Sequence, residues 1–198
     1  MSGADLFRSG RRQRVMIVPG LHGSGPVHWQ SWMESELPGA VRVPQEDWDD
    51  PRIAPRAQAI ADTLDSDPDA DWIVVAHSLG CLAVAHYVQH TARQTPRRAR
   101  LRGALLVTPA SPTRFNTRLE DSTRLPFLAQ TVASRNDPWL LLEEAFELSQ
   151  RWGSRLIDAG PVGHLNVEAG FGPWPYGLTL LRRMQRELHA ADCACLDD

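Results

Sequence analysis

Residues 72–85 read Trp72-Ile73-Val74-Val75-Ala76-His77-Ser78-Leu79-Gly80-Cys81-Leu82-Ala83-Val84-Ala85. The run Trp72–Ala76 is apolar and β-branched, while Leu82, Ala85 and Val88 recur at helical spacing. A strand, a sharp turn and a helix are therefore expected around Ser78. Such a turn presses the backbone against the new helix and the adjoining strands, so its flanks must be small. Ala76 and Gly80 meet that need, one methyl group away from the stricter Gly-x-Ser-x-Gly. The turn would expose the Ser78 hydroxyl, and the helix would aim N–H groups and its positive end at developing negative charge. Ser78 as a plain helix cap fits the pentapeptide equally well, and the rest of the chain has to decide.

Working outward, further short apolar runs lie at Val15–Val18, Val41–Val43, Ala104–Thr108, Phe127–Ala133 and Arg155–Ile157. Helical periodicity marks Trp29, Trp32, Met33 and Leu37, and helices are read at Trp139–Trp152 and Tyr176–His189. This alternation predicts an α/β fold of about six mostly parallel strands with helices on both faces. With 198 residues and no repeat or long linker, one domain over 1–198 is expected, with 1–13 and 191–198 as flexible tails. Loops rich in Gly, Pro, Asp or Ser follow the strands at 19–26, 108–126 and 160–175. Ligands of open parallel sheets bind beyond the carboxyl ends of strands, which draws attention to these loops. The 108–126 connection is long enough for a lid or a short extra helix.

Two of these loops offer partners for Ser78. Asp137, in Asn136-Asp137-Pro138, follows a strand and is braced by a proline; it suits either orientation of an imidazole or capping of the next helix. His164, in Gly163-His164-Leu165, is the histidine that follows both Ser78 and Asp137 on a loop at that sheet edge. The order Ser, Asp, His then favours nucleophile, orienting acid and base. His77 touches Ser78 in sequence, but adjacent residues at such a turn point apart, so packing or hydrogen bonding is its expected role. The first loop, Pro19-Gly20-Leu21-His22-Gly23-Ser24-Gly25, is glycine-rich enough to fold back toward the turn. Its Leu21 N–H and the Leu79 N–H are the expected oxyanion donors, with His22 as the alternative to Leu21.

Composition removes other chemistries. All 21 basic residues are Arg, so a phosphate-loop lysine, a Schiff base and a Ser-Lys dyad have no amine. Gly20, Gly23 and Gly25 do not follow the dinucleotide-binding spacing, and His86 and His90 lack the glutamate of a zinc helix. No cofactor and no metal are expected. A net charge of −3 gives no general attraction to nucleic acid, and no stretch is apolar enough for a membrane span. Three cysteines without a disulfide framework, Cys81, Cys193 and Cys195, fit a cytoplasmic location. Seven tryptophans, with Trp139 and Trp174 near the loops of interest, hint at an aromatic pocket, although core packing suits most of them.

Taken together, Val18-Pro19-Gly20, His28-Trp29, His77-Ser78-Leu79-Gly80, Asn136-Asp137-Pro138 and Gly163-His164 resemble the retinoblastoma-binding-protein-nine-like serine hydrolases, a family of small α/β-hydrolases. The likeness runs from Val15 to about the terminal helix. It implies a compact α/β-hydrolase fold lacking the first two strands of larger members, with the family triad on Ser78, Asp137 and His164. Many members carry Ser-x-Asp-Asp-Pro where this chain has Asn136 before Asp137. The resemblance implies a serine hydrolase without choosing among ester, thioester, amide or peptide, and the function expected first is cleavage of small carboxylic esters or related acyl compounds through an acyl-enzyme. The alternative is a protein-binding module with a vestigial site, its partner unknown. The Leu-x-Cys-x-Glu motif of the animal namesake is not reproduced, because Leu79-Gly80-Cys81-Leu82-Ala83 lacks the glutamate.

Overall fold

The structure, a computed structural model, describes residues 11–91, 100–117 and 124–194. Six strands form one parallel sheet in the order β2-β1-β3-β4-β5-β6: β1 Gln13–Val18, β2 Val41–Arg42, β3 Asp71–His77, β4 Leu101–Val107, β5 Leu128–Ala133 and β6 Arg155–Asp158. The helices are α1 Trp29–Glu36, α2 Ile53–Asp65, α3 Leu79–His86, α4 Leu142–Trp152 and α5 Pro175–Ala194, and a π-helical turn, Tyr87–Thr91, extends α3. All six expected strands are present, and all five pairings are parallel.

Strand side chains alternate between two cores. On one side, Met16, Val74, Ala76, Ala104 and Leu106 pack with Ala57, Ile60, Leu64, Leu82, Leu148 and Trp152 of α2, α3 and α4. On the other, Val15, Ile17, Ile73, Val75 and Leu105 pack with Trp29 and Met33 of α1 and Leu181 and Met184 of α5. Chain direction explains the division. From β1 the chain moves outward to β2, then returns past β1 and continues the opposite way through β3, β4, β5 and β6. Right-handed crossovers running in opposite directions must lie on opposite faces. The reversal falls between β1 and β3, so a crevice opens beyond their carboxyl ends, where Val18 and Ala76 stand in register.

Two expectations are corrected, and one helix is added. The tail boundaries at 13 and 191 cut into regular structure: Gln13 pairs with Asp71 in the sheet, and α5 runs to Ala194. The remaining tail residues 1–10 and 195–198, with Cys195, lie outside the described residues. Helix α4 starts at Leu142 rather than Trp139, because the Asp137 carboxylate accepts the Trp139 N–H at 2.9 Å and Glu144 accepts the Leu141 N–H at 3.1 Å. These contacts hold a turn where the helix was expected. Helix α2, absent from the sequence reading, buries a stripe of Ile53, Ala57, Ile60, Ala61 and Leu64. In the 108–126 connection the described part makes turns, with Thr117 N–H donating to Pro112 O at 2.8 Å, and the lid question for 118–123 lies outside the described residues.

Candidate active site

Ser78 sits between β3 and α3 at φ 52°, ψ −120°. That conformation is costly for a residue with a Cβ, and persists only where the surroundings enforce it. Ser78 N–H donates to Val107 O at 3.1 Å, and Ser78 O accepts from Ala110 N at 3.2 Å and Cys81 N at 3.0 Å. The glycines on either side permit the packing. A Cβ on Gly80 would stand 2.4 Å from Val18 O, and one on Gly20 would stand 2.9 Å from Ser78 Cβ. The first loop and the serine turn are thus interlocked, backbone against backbone.

Ser78 Oγ lies 2.8 Å from His164 Nε2, and His164 Nδ1 lies 3.0 and 2.9 Å from the two oxygens of Asp137. Asp137 and His164 are buried. The ionised carboxylate only accepts, so it draws the His164 proton to Nδ1 and leaves Nε2 as acceptor for the serine hydroxyl. Asp137 also accepts the Trp139 N–H, so one carboxylate meets both His164 and the turn before α4.

The loop carrying His164 is tied down at several atoms. His164 O accepts from Thr108 Oγ1 at 3.1 Å and from His77 Nε2 at 2.9 Å. His77 is buried on the face of β3 toward α1, and burial together with the nearby His164 and His28 holds its pKa well below the usual histidine value. Neutral His77 therefore donates through Nε2–H, in keeping with the hydrogen-bonding role expected of it. Trp29 Nε1 donates to Leu165 O at 2.7 Å, and Asn136 Oδ1 accepts the Gly163 N–H at 2.7 Å. Sequence reasoning assigned neither contact. The His28-Trp29 and Asn136 signals were visible as motif members without a physical role.

On the first loop, Arg56 from α2 is buried and donates to Gly20 O at 3.2 Å and Trp48 O at 3.0 Å. In a trans peptide the C=O and the following N–H point opposite ways, so the Leu21 N–H is turned away from Arg56. The His22 N–H donates to Trp48 O at 2.9 Å, which removes it as the alternative oxyanion donor. Leu79 opens α3, where the N–H groups have no intrahelical acceptor.

A cavity of about 760 Å³ opens over Ser78, walled by Leu21, His28, Phe115, Trp139, Val167 and Glu168 among others. Trp139 is one of the exposed large apolar side chains and carries the Arg114 guanidinium 5.2 Å from its ring centre. Trp174 is instead buried against Trp29, in the core role. Cys81 is buried behind the serine, where burial pushes its thiol pKa up, so it offers no competing thiolate. His86 and His90 have ring centres 4.3 Å apart, and among the described residues no group of three or more His, Cys, Asp or Glu is gathered to hold a metal ion. Among the same residues no helix is long and apolar enough to cross a membrane.

A parallel six-stranded sheet with its serine turn at the reversal of strand order is the fold of the α/β hydrolases, and solved structures bear this out. A YdeN-like hydrolase from Pectobacterium atrosepticum is 37% identical, covering 89% of this chain and 92% of its own, with a TM-score of 0.81. The ydeN gene product of B. subtilis is 20% identical, covering 88% and 99%, with a TM-score of 0.72. A hydrolase from Agrobacterium vitis shares the fold at 13% identity, covering 89% and 88%, with a TM-score of 0.68. The chain belongs to the serine hydrolase family, whose model matches residues 15–183. No match was found among curated proteins.

Proposed function

We propose that this serine hydrolase cleaves small carboxylic esters or related acyl compounds, with Ser78 as nucleophile, His164 as base and Asp137 as orienting acid. The observation that carries the reading is the 2.8 Å approach of Ser78 Oγ to His164 Nε2 at a strained turn opening on the cavity. As Ser78 Oγ attacks the acyl carbon, its proton passes to His164 Nε2, and Asp137 stabilises the imidazolium. The negative charge on the former carbonyl oxygen is met by the Leu21 and Leu79 N–H groups. His164 then protonates the leaving oxygen, the acyl-enzyme forms, and water activated by the same histidine releases the acid. No step calls on a metal or cofactor.

Within the family, the motifs around Val18, His28, Ser78, Asp137 and His164 support a place beside the retinoblastoma-binding-protein-nine-like branch. One domain over 1–198 and a cytoplasmic location belong to the same reading, the latter on cysteine usage alone. A fluorophosphonate probe tests the chemistry. Wild type should label and hydrolyse p-nitrophenyl esters, and Ser78→Ala should do neither. No labelling of a folded wild type would favour the protein-binding module instead.

A further inference from the structure

His28 belongs to none of the steps above, yet its ring lines the cavity over Ser78. It is buried at the N-terminus of α1, with its ring centre 5.0 Å from that of His77, which in turn lies 5.0 Å from that of His164. Its Nδ1 accepts the Gln30 N–H at 3.1 Å. An imidazole nitrogen that accepts carries no proton, so the hydrogen of neutral His28 must sit on Nε2. Gln30 is itself fixed, donating to Val18 O and Val75 O at 3.3 and 3.1 Å and accepting from Ser24 Oγ at 2.6 Å. The tautomer of His28 is therefore locked from outside the cavity, and Nε2–H is the ring's remaining polar group.

We propose that His28 Nε2–H is a specificity-determining donor that binds an uncharged acceptor oxygen of the substrate, separate from the carbonyl under attack. Ether, ketone and amide oxygens have the required chemistry. The wall around it decides the class. Leu21, Phe115, Trp139 and Val167 suit an apolar body, and among the described residues those lining the cavity include a carboxylate, Glu168, and no arginine, with the Arg114 guanidinium engaged by the ring of Trp139. A donor fixed among apolar walls binds a substrate oxygen and discriminates against the analogue lacking it, because the donor would be left unpaired. This inference rests on the serine hydrolase reading.

The test uses two isosteric ester pairs: p-nitrophenyl butanoate with p-nitrophenyl methoxyacetate, and butyl acetate with 2-methoxyethyl acetate. Within each pair a methylene is exchanged for an ether oxygen, on the acyl side in the first and the alcohol side in the second. The ratio of kcat/KM within a pair, compared between wild type and variant, cancels the intrinsic reactivity of each ester. The variant is His28→Asn. Asparagine is among the best helix caps and its Oδ1 takes the place of Nδ1, so α1 keeps its cap while the donor at Nε2 is withdrawn. The preference for the oxygen-bearing member should fall about tenfold in at least one pair, the loss of one neutral hydrogen bond. In His28→Gln, whose amide reaches as far as Nε2, part of that preference should return. Unchanged ratios in both pairs, or an equal loss of kcat for both members of each, would overturn the assignment while leaving the hydrolase reading intact. A wild type inert toward all four esters and unlabelled by fluorophosphonate would overturn both.

Discussion

The side-chain oxygen of Asn136 accepts the Gly163 N–H at 2.7 Å, so the loop that supplies Asp137 also holds the loop that supplies His164. Ser134 Oγ donates to the same oxygen at 2.9 Å and accepts the Val162 N–H at 3.1 Å. Asp137 and His164 are thus joined twice, once through their own contact and once through this backbone clamp.

Asn136→Ala removes the clamp and leaves the Gly163 amide without its acceptor. Loss of one such bond costs about 1 kcal/mol of stability. Because His164 is held also through Thr108, His77 and Trp29, kcat should fall by about tenfold rather than vanish. Asn136→Asp keeps the acceptor oxygen and should stay closer to wild type. Steady-state kinetics beside thermal unfolding would check both, and an Asn136→Ala enzyme with wild-type kcat would remove the clamp from the site's support.

Gly80→Ala should be far more damaging than its one carbon suggests. The added Cβ would stand 2.4 Å from Val18 O and 2.9 Å from Pro19 O, both backbone atoms that cannot swing aside. Overpacking of this kind costs about 1–3 kcal/mol or more, against the roughly 0.4–1 kcal/mol that Gly→Ala gains at an unstrained site. Gly25→Ala is the control, since its Cβ would meet nothing within 4 Å. Equal denaturation midpoints for the two variants would contradict the interlocking of the first loop with the serine turn.

Stability should decline in mild acid. Burial, with Arg42 and His164 close by, lowers the His28 pKa from 6.5 to about 4, and His77 is lowered in the same direction by burial. The unfolded chain therefore takes up these protons first as the pH falls. The folded state is fully favoured above about pH 6.5 and loses ground down to about pH 4, where His28 itself protonates. For His28 the loss is at most about 3 kcal/mol, and His77 adds to it. Asp50, Asp67 and Asp158, all held below the usual carboxylate range by arginine or backbone partners, act in the same sense only at lower pH. Urea midpoints at pH 7.5 and pH 5 would measure the effect, and His28→Asn should flatten part of it. A midpoint independent of pH over this span would show that both histidines take up protons in the fold as readily as in the unfolded chain.

Six strands were legible because buried parallel strands are written as short continuous apolar runs, and Trp72–Ala76 is the clearest of them. The stripe of α2 was present too, but Pro51, Arg52, Pro55 and Arg56 break it up, and a buried arginine reads as a surface residue until its acceptors are known. Gly20 O, Trp48 O and Asp50 O, the acceptors of Arg56, lie 36, 8 and 6 residues away in sequence. The same holds for His77, Trp29 and Asn136, which grip the His164 loop across separations of 87, 136 and 27 residues. Local pattern reveals which residues bear chemistry. The bonds that hold those residues in place are tertiary, and no spacing rule along the chain encodes them.

Asp137→Asn should leave the protein folded and cripple turnover. The Asp137 carboxylate faces His164 Nδ1 with both oxygens, at 3.0 and 2.9 Å, and also accepts the Trp139 N–H. An asparagine can still accept from Trp139, so the turn before α4 survives. Toward His164 it can present its NH₂, which needs an unprotonated Nδ1 and pushes the ring proton to Nε2. That nitrogen then faces the Ser78 hydroxyl as a donor and cannot take its proton. The charge that would stabilise the imidazolium is lost as well. In the well-studied serine protease case the same exchange lowers kcat by about 10⁴-fold with the geometry preserved. A large drop of that kind, beside an unfolding midpoint near that of wild type, is the expected result. Fluorophosphonate labelling of Ser78 should slow in parallel, because it draws on the same base. If Asp137→Asn turns over esters at close to the wild-type rate, Asp137 is a turn-capping residue only, and the orienting acid for His164 has to be sought elsewhere.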